Sequence, residues 1–211
     1  MSNNTVKRIL KELKKHAPFT LFGAATGIVM FLFFRNLSQK TAHTLFYTFH
    51  PLHVVLSAIV TASMYKNYKW KIDKKKVNLL GLVLVGFVGS IGIATISDSI
   101  IPFAGEVLMG MPHAEMHIGF IEKWQTVIPL AAVGIAIAYF KPQTKFPHAG
   151  HVLISTWASL FHMIMAAGRT FTPSEIVGVF VFLFAAVWMP CCISDIAFPL
   201  LFVGEKKRAR E

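Results

Sequence analysis

The residues with the most chemical content in this chain occur twice. His50-Pro51-Leu52-His53-Val54-Val55-Leu56-Ser57 returns as His148-Ala149-Gly150-His151-Val152-Leu153-Ile154-Ser155, and Ile96-Ser97-Asp98 with Pro102 returns as Ile193-Ser194-Asp195 with Pro199. The offsets are 98 residues (50 to 148) and 97 residues (98 to 195), so two matches in separate places share one register. An internal duplication is the expected origin. Two histidines three apart share one face of a helix. With a carboxylate they form a donor set suited to a divalent transition metal such as zinc, iron, manganese, cobalt or nickel. The absence of a carboxylate-rich cage argues against calcium or magnesium. The expectation is one half-site of His50, His53 and Asp98 and another of His148, His151 and Asp195, with structural hydrogen bonding, proton relay and haem ligation as the competing uses.

Further polar residues extend the same faces. His43, His50, His53, Ser57 and Thr61 fall at helical spacings, as do His151, Ser155, Ser159 and His162. Stripes of this kind in apolar helices turn toward a bundle interior or a wet path, since lipid would leave them unsatisfied. The bland alternative, hydroxyls bonding back to their own helix, accounts for Ser and Thr but not for His. The register places Met64 opposite His162 and Lys141 opposite His43, so these two histidines are private to one copy. Cys191 and Cys192 precede Asp195 and serve either as soft ligands or redox groups or as small buried apolar residues. Because they are adjacent, a disulfide between them would be strained. Between residues 106 and 123, Glu106, His113, Glu115, His117 and Glu122 make a segment suited either to capturing cations at a mouth or to lying solvated at the surface.

These groups need elements to hold them, and the composition says which. Of the 211 residues 55% are hydrophobic and only 15% charged, and mean hydropathy is +0.58, far from a soluble average. A hydrocarbon core of about 30 Å demands roughly 17–25 apolar residues per helix. Six stretches qualify: 18–34, 43–64, 77–105, 124–140, 150–168 and 174–203. The basic opening runs straight into the first without a small-residue cleavage site, so that span is expected to be retained rather than removed as a signal. With the N-terminus inside, 17 of the 21 Lys and Arg residues fall on the cytoplasmic side, as the positive-inside rule requires. The expectation is a multi-pass protein of the cell (inner) membrane with both termini cytoplasmic: a basic segment 1–17, a first repeat 18–105, an extracytoplasmic surface segment 106–123, a second repeat 124–203 and a basic tail 204–211.

Three spans per copy is an odd number, so the second copy runs through the membrane in the opposite sense. The predicted fold is therefore an all-α integral membrane protein of six transmembrane helices built as two inverted three-helix repeats. In each repeat the third helix is long and carries a weak point before its Asp, at Gly89-Ser90-Ile91-Gly92 and at Pro190-Cys191-Cys192. Interrupted helices at corresponding positions of two halves point to a transport site, and plain tilt with close helix packing is the alternative. There is no Gly-rich phosphate loop, no Gly-x-Ser-x-Gly and no Cys-x-x-Cys, so nucleotide-driven work is not expected. The net charge of +11 is accounted for by topology and anionic headgroups rather than by nucleic acid. The functional expectation is a transporter or channel for a divalent transition-metal ion, with proton coupling and a homo-oligomer left open and with lipid, metal ion and protons as partners. The rivals are an integral-membrane metalloenzyme, di-iron or zinc, acting on a lipid or other hydrophobic substrate, a haem-binding electron carrier, and a lipid- or isoprenoid-handling protein.

Overall fold

A computed structural model describes residues 3–34, 36–73, 77–167, 171–193 and 198–202, and among them there is no strand. The helices are α1 (Asn3–Phe34), α2 (Gln39–Asp73), α3 (Leu79–Leu108), α4 (Gly119–Glu122), α5 (Trp124–Phe140), α6 (Lys145–Ala167), α7 (Pro173–Cys192) and α8 (Phe198–Leu201). Four of them carry stretches long and apolar enough to cross a membrane, Gln39–Trp70, Leu79–Leu108, Phe146–Ala167 and Pro173–Cys191, and shorter apolar helices span Thr20–Phe34 and Trp124–Phe140. Local chemistry fixes several starts. Thr172 and Glu175 form a reciprocal capping box ahead of α7, with Pro173 in its first turn, and the Asn78 side chain accepts from the Leu80 N–H at the start of α3.

The centre of the bundle is an antiparallel pair, α2 and α6. As the numbering climbs along α2 it falls along α6: Phe46 meets His162 with ring centroids 5.2 Å apart, Phe49 meets Phe161 at 5.6 Å and Trp157 at 5.5 Å, and His53 meets His151 at 5.5 Å. Small residues bring the flanking helices close. On α5, a Cβ at Gly134 would lie 2.6 Å from the Val55 carbonyl oxygen and 2.8 Å from the Ala58 Cβ. On α1, one at Gly27 would lie 3.0 Å from the Thr156 methyl. Around this pair, α3 packs along α2, α5, α6 and α7, and α7 packs along α1 and α6.

The expected weak point of the first repeat takes a definite form. Within α3 the chain widens into two π turns, Val88–Gly92 and Ile96–Ile100, a feature that recurs at functional sites. Gly89 lies where a Cβ would come within 2.6 Å of the Thr61 methyl, so α3 is drawn tightly onto α2 at the first of them. At the other expected weak point, Pro190 sits inside α7, which continues to Cys192. Asp195, with Ser194, lies outside the described residues, so its half-site is not among the structural findings.

The segment after α3 is less superficial than its polarity implies. α3 runs to Leu108, three residues beyond the expected boundary, and Glu106 is fully buried. A turn through Gly110, at φ +61°, then sends the chain back over the helix ends, where the His113 N–H donates to the Ala166 carbonyl. Gly119 is buried against His50, with room for no side chain: a Cβ there would fall 2.4 Å from His50 Nε2. A charged residue read as a boundary is thus an interior one, because a partner on α6 receives it.

Glycine packing gives a direct test. Gly134→Ala drives a methyl into the α2 backbone and is expected to cost about 1–3 kcal/mol, whereas Gly92→Ala, with nothing within 4 Å, should leave stability within about 1 kcal/mol. Unfolding of the two variants in mixed micelles measures the difference.

Candidate metal centre

The site is organised around one carboxylate. Asp98 sits in the second π turn of α3 and is fully buried. Its Oδ2 accepts from His50 Nδ1 at 3.0 Å and from His53 Nδ1 at 2.8 Å, both on α2. Its Oδ1 accepts from the Ser97 hydroxyl at 2.7 Å and from the Ser155 hydroxyl of α6 at 2.8 Å. Ser159, one turn further along α6, donates to the Ser97 carbonyl at 3.0 Å. Four donors from three helices meet a single buried anion, as an ion removed from water requires.

This arrangement sets the state of the histidines. An ionised carboxylate only accepts, so both imidazoles donate through Nδ1, and in the neutral ring that leaves Nε2 as the free lone pair. The Nε2 atoms of His50 and His53 are buried and have no hydrogen-bond partner among the described residues. A carboxylate behind an imidazole whose other nitrogen is open is the usual support of a metal-ligating histidine, raising its basicity and fixing its ring. Asp98 therefore stands behind His50 and His53 rather than beside them.

His53 faces the second copy of the motif. His53, His151 of α6 and Cys191 of α7, all buried, each offer one ligand atom, and the three atoms lie within 4.8 Å of one another. His148 Nδ1 is 3.3 Å from His151 Nε2, which attaches the fourth repeated histidine to the group. Two imidazoles and a thiol suit zinc and its neighbours, and small side-chain shifts bring atoms at this spacing to bonds of about 2.0–2.3 Å. Of the sequence-predicted residues, His50, His53, Asp98, His148, His151, Ser155 and Cys191 thus come together. Cys192 has no described side chain, and Ser57 is buried on α2 with its hydroxyl unpartnered among the described residues.

A second group occupies the end of the bundle where α2 begins and α6 finishes. His43, His117 and Glu122 again offer three ligand atoms within 4.8 Å of one another, here partly exposed. The Tyr47 hydroxyl donates to Glu122 Oε2 and the Ile118 N–H donates to its Oε1 at 3.0 Å. Beneath this group His162 Nδ1 donates to Glu106 Oε1 at 2.6 Å, both side chains fully buried, and His162 Nε2 accepts from the His117 N–H at 3.4 Å. Glu115 is 4.0 Å from His117 and mostly exposed, and His113 joins neither group of ligand atoms.

Aromatic rings connect the two groups. Centroids run from His43 to His117 at 5.8 Å, to His162 at 5.7 Å, on to Phe46 at 5.2 Å and to His50 at 5.5 Å. Beyond Asp98 the series resumes from His53 to His151 at 5.5 Å and to His148 at 5.1 Å. The pairing of Glu106 with His162 was missed from sequence, although both residues were noted, because the antiparallel register of α2 and α6 was needed to place them.

Fold and site together define a helical membrane protein with a buried imidazole, carboxylate and thiol network. Comparison of the chain with protein-family models, with curated proteins and with solved structures finds no match, so the functional reading rests on this geometry.

The hydrogen bonds at Asp98 have a graded expectation. Asp98→Asn removes the anion and turns an NH2 toward groups that themselves donate, so stability should fall by about 1.5–3 kcal/mol or more, whereas Ser155→Ala, which deletes one donor of four, should cost about 0.5–1.5 kcal/mol. Paired unfolding curves in detergent read both.

Proposed function

We propose that this chain is a six-helix inverted-repeat membrane transporter for a divalent transition-metal ion, which it holds midway between His53, His151 and Cys191. The observation that carries the reading is the contact between His53 and His151, residues related by the 98-residue offset whose rings lie 5.5 Å apart. A residue meets its own repeat partner only near the axis relating the two copies, and in inverted-repeat transporters the substrate binds at that interface.

Other contacts support the same symmetry. Gly134 packs on Ala58 and Gly27 on Thr156, and Ala58 and Thr156 are again 98 apart (58 to 156). Val54 clusters with Ala94, and Val152 with Cys191, pairs related by 98 (54 to 152) and 97 (94 to 191). The helix partners exchange correspondingly: α5 lies on α2 as α1 lies on α6, and α3 lies on α5 as α7 lies on α1. On this reading α1, α2 and α3 form one copy and α5, α6 and α7 the other, with Asp195 as the counterpart of Asp98. The excess of Lys and Arg on one side supports an orientation with the His43 end outside and both termini in the cytoplasm.

In this mechanism His53 and His151 supply neutral imidazoles and Cys191 a thiolate, while Asp98 holds His53 in its binding tautomer. Protons compete for the same lone pairs, so loading expels protons and protonation releases the ion, which couples transport to pH.

Uptake of Zn2+, Mn2+, Fe2+, Co2+ and Ni2+ into proteoliposomes tests the proposal. His53→Ala and His151→Ala should abolish uptake of the transported ion at unchanged protein level, and Asp98→Asn should weaken ion affinity about 10–100-fold. His113→Ala should behave as wild type. Normal uptake in both the His53 and His151 variants rules the reading out, and a haem absorption band in protein as purified would favour an electron carrier instead.

A further inference from the structure

We propose that His43, His117 and Glu122 form a second, separate site for a divalent transition-metal ion at the His43 end of the bundle. It goes beyond the transport reading, since a site there stands or falls on binding alone. Three ligand atoms from these side chains already lie within 4.8 Å of one another, and they come from two places in the chain, the start of α2 and the segment that leads into and forms α4. An ion there would tie that segment to α2.

The carboxylate is held in place for this task. Glu122 keeps one oxygen against the Tyr47 hydroxyl and the other against the Ile118 N–H, so it lacks the freedom of a solvated surface acid and loses less entropy on ligating an ion. His117 Nδ1 stands 3.5 Å from Glu122 Oε1, and the His43 ring lies 4.5 Å from the Tyr47 ring and 5.8 Å from that of His117. A positive charge also stands close by, the Lys123 ammonium 5.6 Å from the Tyr47 ring centroid, and Glu115, 4.0 Å from His117, offsets it. Two imidazole nitrogens and one carboxylate oxygen make a harder set than the imidazole and thiol set at His53, His151 and Cys191. The two sites should therefore rank metals differently, with manganese and iron relatively better held at the outer one and zinc at the inner one.

Cobalt distinguishes the sites because only a thiolate ligand gives a thiolate-to-cobalt charge-transfer band. Full-length protein in detergent, titrated with Co2+ at neutral pH, should take up two ions. His117→Ala and Glu122→Gln should each reduce this to one and keep the charge-transfer band. Cys191→Ser should lose the band and retain the outer ion. Glu122→Gln keeps the size of the side chain, and its amide oxygen can still accept from the Ile118 N–H while its NH2 donates to the Tyr47 hydroxyl oxygen; an unchanged helical circular dichroism spectrum certifies its fold. One Co2+ per wild-type chain accompanied by the band, or two that survive both His117→Ala and Glu122→Gln, overturns the proposal. Failure of the transport reading shows separately, as normal uptake in the His53 and His151 variants.

Discussion

The structure depends on the burial of the Asp98 carboxylate among donors from three helices. Taking an ion out of water in a bilayer is among the most expensive things a sequence can do, and it is tolerated only where every lone pair is met. Here α2 contributes His50 and His53, α6 contributes Ser155, and α3 contributes Ser97. The requirement fixes the rotation of α2 and α6 about their axes and the depth of α3 between them. The π turn that carries Asp98 belongs to the same constraint: Ser159 donates to the carbonyl of Ser97 within it, so the widened backbone is satisfied from the neighbouring helix.

The same anchor organises the rest of the interior. With α2 and α6 locked antiparallel, His43 and His162, which have no mates in the duplicated pattern, arrive at one end of the bundle. They join Glu106, His117 and Glu122, which come from after the first copy's motif. The repeated histidines meet in the middle and the unrepeated ones meet at an end.

Much of this was legible in the sequence because hydropathy, the spacing of His-x-x-His and the offset of the copies each constrain structure directly. Helices long and apolar enough to cross a membrane lie at four of the six expected spans, with shorter apolar helices at the other two, and the association of His50 and His53 with Asp98 follows the text. What was not legible involves contacts between elements. The role of Asp98 behind the imidazoles depends on which ring nitrogen points where. Glu106 looked like the start of a polar loop because its partner His162 is 56 positions away. The convergence of Cys191 with His53 and His151 needs three helices to be placed at once. Gly119 read as an ordinary loop glycine, whereas its missing side chain is the space that His50 occupies.

The sharing of one carboxylate oxygen by two imidazoles has a kinetic side. A divalent ion gripped directly by a buried carboxylate would be slow to leave, since low polarity around the pair magnifies the attraction. With a ring interposed, the acid strengthens the nitrogen that meets the ion without touching the ion itself. A site of this design would give up depth of binding in exchange for faster release of whatever ion it held.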